Sequence, residues 1–151
     1  MATNASAPDP GVSVARLWVM RAFYLLMAAG VGATIWPLIL THQLSTSHMA
    51  GVAWALLGTI GILALLGLRY PLQMIPLLLF ELIWKSIWLL AFALPLWLAG
   101  RLDAAHASSI VDTAIGLLLL LVIPWRYVFA HYVRRPGDPW RSAARADAAA
   151  Q

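Results

Sequence analysis

The single glutamate and the single lysine of this chain, Glu81 and Lys85, lie four residues apart inside its most apolar stretch, IPLLLFELIWKSIWLLAFALPLW. On a helix that spacing puts both side chains on one face, and glutamate before lysine is the better order for an ion pair. Each charge costs about 2.5–3.5 kcal/mol to place at the centre of a membrane helix, so their presence there calls for a reason. Every other basic residue is arginine, and lysine differs from arginine in being able to give up its proton when buried. Trp84 and Trp88 follow Glu81 and Lys85 by three residues each. An indole face can hold an ammonium, and an indole N–H can donate to a carboxylate.

Three kinds of chemistry fit this group. The pair can satisfy itself and fix the rotation of its helix in a bundle, with Tyr24, Thr34 or Thr59 adding hydrogen bonds. It can dock a partner helix or a second copy of the chain. Or it can form a proton-linked site, or one that takes a lipophilic or anionic ligand between helices, because two ionisable groups sharing a dry site titrate as a unit. An ionisable residue inside a membrane is a functional candidate by default.

Other chemistry is poorly supplied. His42, His48 and His106, with Asp103 near the last, would suit zinc or copper if they met, but their spacing matches no ligand motif. No histidine lies within a helix core to hold a haem, and no cofactor is expected. Asp112 opens a helix, where negative charge complements the dipole. Ser45, Ser47, Ser108 and Ser109 have no obvious base beside them. There is no phosphate-cradling loop or nucleophile elbow, and with no cysteine there is no thiolate. An enzyme acting within the membrane is the least supported class.

The elements that carry these residues follow from hydropathy. With 151 residues, 62% hydrophobic and 11% charged, the chain has too little polar surface for a water-soluble domain. About 20 apolar residues cross a bilayer as a helix. Four such segments are predicted, near Ala22–Leu40, Met49–Leu68, Pro76–Leu98 and Ile110–Val128, joined by short connections into an all-α, polytopic four-helix bundle spanning residues 15–135. Counted from Pro76, Lys85 falls roughly 14 Å into its helix, near the midplane, and Glu81 roughly 8 Å in.

Charge sets the orientation. With both termini cytoplasmic, Arg16, Arg21, Arg69, Arg126, Arg134, Arg135, Arg141 and Arg145 fall inside and only Arg101 outside, as the positive-inside rule demands. The three loop histidines then lie outside. The net charge of +4 belongs to helix ends and tail, which reads as topology and lipid contact, not nucleic-acid binding. Arg126, Arg134, Arg135 and Arg141 are the candidates for anionic headgroups at the cytoplasmic face. His131 belongs to the same basic stripe. Residues 1–14 read as a disordered tail without the basic start of a signal peptide, and residues 136–151 as a basic, Ala-rich cytoplasmic tail.

Packing has its own signals. Small residues crowd the first two helices: Ala28, Ala29, Gly30, Gly32 and Ala33, then Gly51, Ala55, Gly58, Gly61 and Gly67. They predict close approach of the two backbones. Pro76 suits a first helical turn. Pro37, Pro95 and Pro124 lie within about a turn of their helix ends, which should limit their damage, and Trp36, Trp97 and Trp125 read as interfacial aromatics. TIWPLIL and FALPLWL echo each other, which allows two pseudo-repeated helical hairpins.

The blocks RYPLQMIPLLLFELIWKSIWLLAFALPLWLAGRLD and IPWRYVFAHYVRRPGDPWR resemble those of a family of small uncharacterised bacterial four-helix inner-membrane proteins of unknown function. The resemblance covers most of residues 20–141 and implies a location and a helix count, with no chemistry. The chain does not resemble the small multidrug exporters, whose carboxylate is on the first helix. The expectation is therefore an accessory or interaction protein of the bacterial inner membrane. It would associate through its third helix and the Glu81–Lys85 pair, as a homo-oligomer or within a larger membrane complex. A proton-linked transporter or lipophilic-ligand binder is the alternative.

Overall fold

The structure, a computed structural model, describes residues 12–41, 47–101, 109–110 and 113–137, and every regular element among them is helical. α1 (Val14–Leu40) starts at Ser13, whose hydroxyl accepts from the Arg16 N–H at 3.3 Å. α2 (His48–Arg69) starts in the same way, with the Ser47 hydroxyl accepting from Ala50 N–H. Both are serine N-caps, which satisfy donors a first turn leaves free. α3 (Ile75–Leu98) has Pro76 in its first turn. These three helices are each long and apolar enough to cross a membrane, so the chain is a multi-pass membrane protein.

The fourth passage differs from the expectation. No single rod covers Ile110–Val128: α4 (Thr113–Val122) and α5 (Trp125–Arg134) meet at a bend of 72°. Pro124 is the cause. A proline disfavours helical backbone in the residue before it, and Ile123 is extended, at φ −63° and ψ 126°. The expectation that Pro124 would do limited damage therefore fails, and among the described residues three helices are long and apolar enough to span a membrane, or four if the bent pair counts as one. Pro95 is absorbed more gently. A π-helical turn over Leu89–Ala93 precedes it, making room where its ring would otherwise meet the carbonyl four residues back.

Lipid tails are as apolar as leucine, so helices in a membrane associate by packing, not by hydrophobic expulsion. α1 and α2 pack as antiparallel neighbours through one face of α2, on which Gly58, Gly61, Ala64 and Gly67 recur every third residue and are all buried. A β-carbon on Gly58 would come 2.9 Å from Ile39, and one on Gly61 would come 2.8 Å from Val31. On Gly67 it would enter the Tyr24 ring. Gly30, Gly32 and Gly51, which the composition placed in the same role, have nothing within 4 Å of that position. Gly67→Ala is therefore expected to destabilise, because overpacking of about 1–3 kcal/mol exceeds the roughly 1 kcal/mol gained in helix propensity. Gly30→Ala should be neutral or stabilising. Thermal unfolding in detergent would read both.

The core gathers toward the end of the bundle where α1 begins and α2 ends. Met20 and Tyr24 of α1, Ile75 and Leu78 of α3, and Ile123 at the bend are fully buried, with Leu82, Leu119 and Val122 nearly so. The Tyr24 hydroxyl donates to the Pro71 carbonyl at 3.1 Å, tying α1 to the α2–α3 turn. Lys85 lies just beyond this core, toward the middle of α3.

Candidate functional site

Glu81 and Lys85 both turn inward. The leucines around them, Leu78 and Leu82, belong to the core, and Glu81 itself is 3% exposed. Lys85 Nζ donates to Glu81 Oε2 at 2.6 Å, at the short end for a charge-assisted bond. The lysine side chain is 19% exposed, against 4% for the glutamate, so the carboxylate is the more deeply enclosed partner.

What encloses the lysine comes from another helix. Its aliphatic stem lies against Gly116, occupying the space a β-carbon there would need. Gly116 begins a 3-10 turn, Gly116–Leu118, inside α4. α4 therefore covers the pair with bare backbone at one point, and Leu119 and Val122 continue the contact toward the bend. This role of Gly116 was not foreseen from the sequence, because the contact joins two helices and leaves no trace in the local spacing of either.

Of the two tryptophans singled out with the pair, Trp84 is in contact. Lys85 Nζ lies 5.2 Å from its ring centroid, within cation–π range. The Trp84 indole N–H is buried and has no acceptor among the described residues, a deficit of the order of 1–3 kcal/mol. Trp88 is half-buried. The extra hydrogen bonds expected from Tyr24, Thr34 and Thr59 do not reach the pair. Tyr24 donates to Pro71, while Thr34 and Thr59 donate to the carbonyls of Gly30 and Ala55 in their own helices. Threonine hydroxyls in membrane helices bond back in this way because no water competes.

A second polar constellation lies at the bend, and its partners too are not adjacent in the sequence. A helix end leaves its last carbonyls without partners, here those of Leu120, Leu121 and Val122, while Ile123 O beyond them accepts from the Trp125 backbone N–H at 3.0 Å. Arg16 of α1 donates from Nη2 to Leu121 O at 3.0 Å and Ile123 O at 2.9 Å, and from Nε to Val122 O at 3.3 Å. Trp125 Nε1 donates to Leu120 O at 2.8 Å. All four acceptors are thus met, three of them by a cation placed where the helix dipole is negative. Arg21 serves α2 similarly, with Nε donating to Leu68 O at 3.1 Å. From the sequence alone these arginines read only as topological charges, and Trp125 only as an interfacial ring. The available signal was Pro124 itself, which must strand carbonyls in an apolar segment and so require donors from elsewhere.

The remaining candidates are scattered. Arg126, Arg134 and Arg135 are exposed on and just after α5. His131 stacks on Tyr127 with ring centroids 5.1 Å apart. His48 is exposed at the first turn of α2. His42, His106, Asp103, Asp112 and Arg141 lie outside the described residues. No known family model, curated protein or solved structure matches this chain.

Proposed function

We propose that the chain is a small accessory or interaction protein of a bacterial inner membrane, with both termini cytoplasmic, which associates through α3 with a second copy or a larger membrane assembly. The observation that carries this reading is the direct Lys85–Glu81 bond, closed inside the bundle beneath Gly116. A pair that satisfies itself anchors the rotation of α3 and so determines which residues α3 turns outward. Those are Phe80, Ile83, Ile87 and Leu90, all exposed and recurring at helical spacing. The weight of arginine at one end of the bundle supports the orientation.

The absence of cysteine makes the test direct. Single cysteines at Ile83 and Ile87 should cross-link in intact membranes, to another copy or to a distinct protein, while one at buried Leu78 should not. Cross-linking at none of these positions, from a folded protein, would sink the reading.

One observation favours the second reading, a proton-linked or lipophilic-ligand site. The Trp84 indole N–H has no acceptor among the described residues, and its ring lies 5.2 Å from the Lys85 ammonium, so an acceptor on a ligand would complete the indole. Infrared absorption of the carboxyl group, followed across the physiological pH range, separates the two. A protonated-carboxyl band that titrates and vanishes in Glu81→Gln supports the ligand site. A carboxylate ionised throughout supports the closed pair.

A further inference from the structure

We infer that α5 is an amphipathic arm lying in the plane of the membrane interface, where it binds anionic phospholipid headgroups, and that the return crossing ends at the bend, with α5 taking no part in it. α4 runs alongside α3, held by Gly116 on Lys85 and by Leu119 and Val122 in the core. After a turn of 72°, α5 advances along the α4 direction by only about a third of its own length. The chain leaves the bundle sideways.

Its faces fit that position. Val128 is buried in the core, and Trp125 and Tyr127 pack against it, which lays α5 along the end of the bundle. Phe129–Arg134 is wound as a π-helix, whose wider turns bring exposed Phe129 and Val133 above one another, with exposed Tyr132 beside them. Arg126 and Arg134 are exposed two turns apart, followed by exposed Arg135. No acidic residue occurs between Asp112 and Asp138 to neutralise them. An apolar stripe beside a purely basic one, with aromatic rings at the boundary, is the pattern of a helix in the headgroup region, and juxtamembrane arginines favour anionic lipid. The same end of the bundle carries Arg16, Arg21 and Arg69. The bend is held in advance: Arg16 and Trp125 together occupy every carbonyl that Pro124 frees. The arm is independent of whether α3 has a partner.

The test uses the full chain in nanodiscs of phosphatidylcholine, with or without phosphatidylglycerol, carrying one introduced cysteine at Phe129, Ala130 or Val133 and a nitroxide label. Collisions with oxygen report lipid, and collisions with a water-soluble nickel complex report the aqueous phase. Labels at Phe129 and Val133 should share one shallow depth, with Ala130 at headgroup level. Phosphatidylglycerol should slow the Ala130 label. That slowing should be lost when Arg126, Arg134 and Arg135 are all changed to Gln, and inorganic phosphate should not reproduce it. The triple variant in phosphatidylcholine alone, with depths unchanged, shows that the fold is intact. A depth that changes steadily along α5, or a label indifferent to phosphatidylglycerol, overturns the inference.

Discussion

Lys85→Met is expected to lower stability by about 3–5 kcal/mol, the usual cost of leaving one member of a buried ion pair without its partner, and adding Glu81→Gln should recover most of that loss. The reasoning rests on where the carboxylate is. Glu81 is 3% exposed, and Lys85 Nζ is the donor seen at its Oε2. Without the ammonium the carboxylate faces the leucines of the core. Removing both charges removes two desolvated ions and one bond between them, an exchange that is often close to neutral. Glu81→Gln alone should cost less than Lys85→Met, because the lysine stem is longer and less enclosed. Thermal unfolding in detergent would measure all three. A double variant no more stable than Lys85→Met would show that the two residues do not act on each other as a pair.

The second large effect is expected at Arg16. Arg16→Gln removes a guanidinium that meets three carbonyls at the bend. Hydrogen bonds to a charged group contribute about 1.5–3 kcal/mol each when buried, and Arg16 is only half-buried, so a total loss of about 2–4 kcal/mol is reasonable. Arg16→Lys should recover little, because an ammonium is a point charge without the planar fork that spans neighbouring carbonyls. The cycle with Pro124→Ala is the sharper experiment. Alanine allows the helix to continue and its carbonyls to find backbone donors, so Arg16→Gln should cost much less in that background. Coupling of this kind is expected only between residues that share partners. Equal losses with and without Pro124 would mean that Arg16 acts on something other than the bend.

Both effects concern residues whose importance was unevenly visible in the amino-acid sequence. Long apolar runs show through hydropathy because a membrane helix must be apolar over its whole length, and α1, α2 and α3 are legible for that reason. The ion pair is legible because it is local: Glu81 and Lys85 are one turn apart on one helix. Gly116 is not, since its contact with Lys85 crosses from α4 to α3. The cap at the bend is hidden in the same way, although Pro124 announces the need for one. Hydropathy averages side chains and says nothing of which backbone carbonyls lack donors. The glycines show the difference between composition and pattern. Gly30, Gly32 and Gly51 leave room for a β-carbon among the described residues, while Gly58, Gly61 and Gly67 of the buried every-third stripe with Ala64 do not, and that periodicity was readable.

The two arginines of α1 also imply an order of assembly. Arg21 and Tyr24 reach acceptors 47 residues further along the chain, so they can engage as soon as α2 and the turn after it have been made. Arg16 reaches acceptors 105 to 107 residues away. Since synthesis proceeds from the N-terminus, its guanidinium must wait at the membrane edge until the chain has been made as far as the bend. A ribosome stalled before Pro124 would leave an intact α1–α2 hairpin with a free cation at its end. Closure around Arg16 is thus a late event in biogenesis, and a chain cut short there is distinguishable by that unspent charge from one that is finished.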